Sequence, residues 1–241
     1  MGVTDRTDRQ WASGGGAGVL RRVLGDGASG AVRVEGSGRY LLAALPLATG
    51  AALAVYILAG WSLPAALAVT VACTGAVARY GWWRLGPLSR AWARRRVAAG
   101  LVAGLVATAG YDIVRLSLVR FGNFTFWPFD VFAVFGRALL GEGVDPLVLR
   151  AVGLGYHLAN GTCFGVAYTL VWGRRGPLAG LAWGLALETL MVGLYPGWLP
   201  LAGVMGEFLS VSLLGHITYG LLLGTIARRM LVRKSGVERR A

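Results

Sequence analysis

The stretch MGEFLSVSLLGHITYGLLLGTIA, residues 205–227, carries one carboxylate and one imidazole among side chains that are otherwise apolar, small or hydroxylic. A helix over it would be about 35 Å long, enough to cross the roughly 30 Å hydrocarbon core of a bilayer. Working outward, blocks of the same kind recur at about 40–60, 64–83, 97–118, 148–172 and 177–195. Their internal Gly and Pro residues suit a bilayer, where neighbouring helices satisfy the freed backbone groups. The fold class that follows is all-α. It is a polytopic helical membrane protein with six transmembrane helices over 40–227, placed in the inner cell membrane with the lipid bilayer as its partner.

Composition points the same way. Of 241 residues, 56% are hydrophobic and only 15% charged, and mean hydropathy is positive. A soluble domain of this size needs more charge to cover its surface. The net charge of +13 invites a nucleic-acid reading. The basic residues, however, flank the apolar blocks instead of forming a stripe, and Lys234 is the only lysine among them. Membrane topology accounts for them and no nucleic-acid partner is expected. Cys73 and Cys163 both fall inside apolar blocks, with neither disulfide nor zinc spacing.

Arginines stand at 6, 9, 21, 22, 33 and 39, then at 79, 84, 90, 94, 95 and 96, then at 174 and 175. A last group sits at 228, 229, 233, 239 and 240. The connections near 61–63 and 196–204 carry none. Six spans with both termini inside collect all four clusters on the cytoplasmic face. Residues 1–39 then form a disordered basic cytoplasmic tail without the features of a signal peptide, and 228–241 a second basic tail. The connection 119–147, with its core FGNFTFWPFDVFAVFG, is aromatic-rich and interrupted by Asp130. It reads as an interfacial or re-entrant segment on the outer face, a seventh short span being the rival.

Ionisable groups inside a bilayer need a partner or a task. Asp112 and Arg115, three apart on one helical face, read as an i,i+3 pair near the outer end of the third span. Glu207 reads as a cap at the start of the sixth. Glu188 lies mid-span with no basic residue within a turn. If charged it needs a partner on another helix; if neutral it is a proton donor. The only two histidines share one setting, in GYHLANGTCFG (155–165) and LGHITYGLLLG (214–224). His157, Asn160, Gly161 and Gly165 form one helical stripe, and His216, Tyr219, Gly220 and Gly224 another. Both imidazoles fall about 14 Å below the outer helix ends, near the midplane. Glycines four apart turn these stripes toward other helices. His157, Asn160, Glu188, His216 and Tyr219 therefore make a candidate polar layer.

From about 150 to 230 the chain resembles the YagU-like family of bacterial inner-membrane proteins. The features are a His in one span followed by Phe164 and Tyr168, then GLAWGLALE with Glu188, a turn with Pro196 and Pro200, and GHITYG running into IARR. The resemblance implies the topology and the Gly-His layer, with an association with acid stress, and it implies no mechanism. The spans before residue 119 are additional to that likeness.

Three tasks suit such a layer: fixing helix packing, binding or moving a small hydrophobic ligand or protons, or holding a haem between two imidazoles. No cofactor and no metal site are expected, since nothing besides the two histidines points to haem. The alternative to a binding protein is an enzyme acting on a lipid or isoprenoid, with Glu188 or Asp112 as general acid and the aromatics at 121–135 as a lid. Motifs for phosphate loops, zinc proteases and serine nucleophiles are absent from the sequence. The topology has a direct test. Reporter fusions after residue 62, after residue 175 and at the C-terminus should read outside, inside and inside; a C-terminus found outside defeats the six-span count.

Overall fold

Proline and glycine punctuate the chain where its helices begin and end. Pro64, Pro87, Pro146 and Pro177 each fall in the first turn of a helix, where a missing N–H costs nothing and the fixed φ favours the turn. Gly60 and Gly141 end two helices with positive φ, at 70° and 86°, as C-terminal caps commonly do. The computed structural model describes residues 40–237, so the tail expected over 1–39 lies outside the described residues. Helix α1 is Tyr40–Ala59, tightened to a 3-10 turn at Leu45–Leu47 around Pro46. There follow α2 (Leu63–Arg84), α3 (Pro87–Phe121), α4 (Asp130–Leu140), α5 (Pro146–Val171), α6 (Pro177–Leu194) and α7 (Met205–Val237). The described residues are all-helical apart from turns.

Five of these helices are long and apolar enough to cross a membrane: α1, α2, α3, α6 and α7. The fourth expected span, α5, has 26 residues and so a length of about 39 Å. It falls outside the five because Arg150, His157 and Asn160 dilute its apolar residues. Helix α4 has 11 residues, about 16 Å, which is too short to cross. Two boundaries differ from the sequence expectation. Helix α3 begins at Pro87 instead of 97, because Arg90, Arg94, Arg95 and Arg96 extend it as a charged first turn and more. Helix α7 continues through Val237, past the expected boundary at 227, since Arg and Lys are good helix formers.

Helix α3 lies at the centre, packed against α5 on one side and α7 on another; α7 also packs on α6, α4 on α5 and α1 on α2. Glycine makes three of these contacts. Gly100 and Gly104 of α3 meet Gly165 of α5, backbone against backbone. Gly180 and Gly184 of α6 meet Gly220 and the backbone carbonyl of His216 on α7, and Gly224 meets Gly176. Gly136 of α4 and Gly153 of α5 each rest on the other helix's backbone. One end of the bundle gathers basic residues. Arg96 Nη1 donates to Thr169 O at 2.6 Å at the end of α5, and the Arg228 side chain lies beside Gly176 at the α5–α6 turn. At the other end, Glu207 accepts from Thr125 N at 2.8 Å and Phe126 N at 2.7 Å. It thus clamps the aromatic loop before α4 instead of capping its own helix, because those two N–H groups have no helical partner.

Substitution at these contacts should separate packing glycines from idle ones. Gly220→Val places a Cβ against the backbone of Gly180 and should cost about 1–3 kcal/mol or more in detergent unfolding. Gly155→Ala meets nothing within 4 Å and should gain about 0.5–1 kcal/mol from helix propensity. Equal effects at the two sites would refute the glycine contacts.

Candidate functional site

Two imidazole–carboxylate pairs and one tyrosine occupy the middle of the bundle. Glu188 on α6 is buried, and its partner is on another helix. His216 Nδ1 lies 2.7 Å from Glu188 Oε2, and Ser212 Oγ donates to the same oxygen at 2.6 Å. His216 Nδ1 is also 3.1 Å from the Ser212 carbonyl. With two acceptors facing it, Nδ1 is the nitrogen that carries the hydrogen. That leaves Nε2 for other contacts. His157 on α5 pairs elsewhere: its Nε2 lies 3.0 Å from Asp112 Oδ2 on α3. Arg115 Nη1 donates to Asp112 Oδ1 at 3.2 Å, and Nη2 to Pro128 O at 2.8 Å. Asp112 therefore joins Arg115 to His157, and Arg115 ties the loop before α4 to α3.

Tyr111 connects the two pairs. Its ring centroid is 5.8 Å from that of His157 and 5.0 Å from that of His216, and the Arg115 guanidinium lies 4.7 Å over it. The two histidines thus pack on one phenol, each with its own carboxylate. Asn160 Oδ1 accepts from Thr49 Oγ1 at 2.7 Å, holding α1 to α5. Tyr219 OH donates to Gly161 O at 2.7 Å, holding α7 to α5. So all five residues of the candidate layer lie in the same region, but in two couples and two helix ties instead of a single network. Tyr111 and Ser212 were missed by the sequence reading. Ser212 has a signal in hindsight, lying four residues before His216 on the same face; Tyr111 has only its position four residues before Arg115.

The helices leave a cavity of about 460 Å³ beside this layer. Its wall is mainly apolar, from α1, α5 and α6, and its polar groups include His157, Asn160, His216 and Tyr219. A smaller space of about 60 Å³ lies beneath the loop and α4, bounded by Arg115, Pro128 and Ser212, with room for about two water molecules. Tyr111, His157, Asn160, Met191 and Tyr195 border both. Asp112 and Glu188 border neither. Each imidazole turns one ring nitrogen onto a carboxylate and packs on Tyr111. Among the described residues no three His, Cys, Asp or Glu side chains are grouped to hold a metal ion.

Compared with models of known protein families, with curated proteins and with solved structures, the chain matches none.

The geometry of the site makes definite pairings. Double-mutant cycles in chemical unfolding should give a coupling of about 1–3 kcal/mol for His216→Ala with Glu188→Ala, and a similar value for His157→Ala with Asp112→Ala. The crossed cycle, His157→Ala with Glu188→Ala, should stay within about 0.5 kcal/mol of additivity. A crossed coupling larger than the direct ones would mean that the pairs are assigned wrongly.

Proposed function

We propose that the chain is a multi-pass inner-membrane protein with six spans and both ends cytoplasmic, which binds a small molecule in a cavity near mid-membrane. Five apolar helices support the membrane setting. Helix α5 serves as the sixth span because its mid-helix polar side chains are turned onto other helices, Arg150 near its start being exposed. His157 meets Asp112, Asn160 meets Thr49, and Tyr156 OH donates to Thr49 O at 2.8 Å. A helix enclosed in this way need not be apolar all round. The meeting of Arg96, the α5–α6 turn and Arg228 at one end supports the orientation, since positive residues favour the cytoplasmic side. The likeness to YagU-like proteins belongs to this proposal as a likeness in the order of features over about 150–230.

One observation carries the binding reading: the cavity of about 460 Å³ has the size of a ligand site, and His157, Asn160 and His216 converge on it. A layer needed only for packing would close on itself; this one borders open space. The two imidazoles, each backed by a carboxylate, orient the site and can take or return a proton on the bound molecule. Helix packing and ligand binding are then the same network seen from two sides.

Native mass spectrometry of the full chain, released from its membrane in mild detergent, tests this. The wild type should carry about one small-molecule adduct per chain, and Leu187→Trp, which narrows the cavity, should carry less while melting normally. A wild type that is bare, and whose melting a total membrane lipid extract leaves unmoved, would sink the proposal.

A further inference from the structure

The cavity wall has two properties that together select a ligand. No Asp, Glu, Lys or Arg lines it. The charged groups of the site are spent on one another behind the wall, with Asp112 between Arg115 and His157, and Glu188 on His216 and Ser212. A charged headgroup placed there would be buried without a partner, which is costly. The polar atoms that remain for a ligand are donors and acceptors, and among the donors Trp183, which lines the cavity, has an indole N–H without a partner among the described residues. Asn160 uses its carbonyl oxygen for Thr49, and its amide NH₂ stands as a donor. His216 commits Nδ1 to Glu188 and the Ser212 carbonyl, and in the neutral ring the other nitrogen, Nε2, is the acceptor. A hydroxyl group answers both, accepting from one and donating to the other.

The cavity also reaches the outside of the bundle. Ala51 of α1 and Leu190 of α6 line it and are exposed, Leu190 at 63%. Helices α1 and α6 meet only glancingly, so the wall is parted between them. Both are apolar helices of spanning length, and a gap between two spans opens sideways into lipid. The volume corresponds to on the order of fifteen non-hydrogen atoms.

Resting on the binding reading above, we infer that the ligand is an uncharged, single-chain alcohol drawn from the bilayer through the gap between α1 and α6. Its hydroxyl is held by Asn160 and His216, and its chain lies along Leu53, Leu187 and Leu190.

Photolabelling of the full chain in phosphatidylcholine nanodiscs tests this. The probe is a diazirine-bearing alcohol of about twelve carbons, chosen to match the cavity volume. Its methyl ether, carboxylate and trimethylammonium analogues serve as comparisons. The alcohol should label Leu53, Leu187 or Leu190. The ether, which cannot donate, should label about three- to tenfold less efficiently. Both charged analogues should label about a hundredfold less. Asn160→Leu, which removes a donor that both oxygens accept from, should weaken labelling by the alcohol and by the ether alike. Ala51→Trp with Leu190→Trp, which narrows the gap, should lose most of the labelling at Leu53 and Leu187 with the melting temperature unchanged. Equal labelling by the carboxylate or ammonium probe overturns the uncharged headgroup, and equal labelling by the ether overturns the hydroxyl, while the cavity reading survives both. Undiminished labelling of the double Trp variant overturns the lateral route. If no probe labels any wall residue in folded protein, the cavity reading fails with it.

Discussion

Contact between bare helix backbones sets the distances on which the rest of this structure depends. Where Gly104 meets Gly165, and Gly180 meets Gly220, no Cβ stands between the helices. A Cβ at any of these positions would run into backbone, which cannot give way as a flexible side chain does. The approach has a chemical consequence. With α6 and α7 this close, Glu188 reaches His216 at 2.7 Å. With α3 and α5 this close, Asp112 reaches His157 at 3.0 Å. Hydrogen bonds of that length tolerate little displacement, so a bulkier residue at either contact would part the pair that contact supports.

The pairs in turn explain why the cavity is both polar and uncharged. An ionisable group away from water is stable only when paired, and each carboxylate here satisfies that need behind the cavity wall. Imidazole is the group left at the surface of the cavity, with one nitrogen committed and one available. Tyr111 keeps the two imidazoles at similar range from a shared ring, which couples their positions although they do not bond each other. The loop before α4 is held over the layer from two sides, by Arg115 on Pro128 and by Glu207 on Thr125 and Phe126. A short amphipathic helix that cannot cross a membrane thus becomes a cover for the polar end of the site.

The sequence by itself determined the class and most of the element boundaries, because apolar length, proline and glycine act locally. The block at 205–227, the prolines at 64, 87, 146 and 177 and the arginine-rich ends all speak through single segments. It also determined which helical stripes would be buried, since His157 and Gly165, or His216 and Gly224, are brought to one face by the helix period alone. Partner choice was different. Glu188 and His216 are 28 positions apart and Asp112 and His157 are 45, and nothing in either segment says which carboxylate meets which imidazole. Glu207 illustrates the limit: its place in the first turn of α7 suggests a cap, yet it takes two loop N–H groups that lie 82 and 81 residues earlier. Only the tertiary structure decided that Tyr111 stands between the couples, that the carboxylates lie behind the cavity wall, and that α1 and α6 part to leave an opening. Those facts depend on how helices lean and which backbones touch, and such distances are set by the whole bundle instead of by any one stretch of chain.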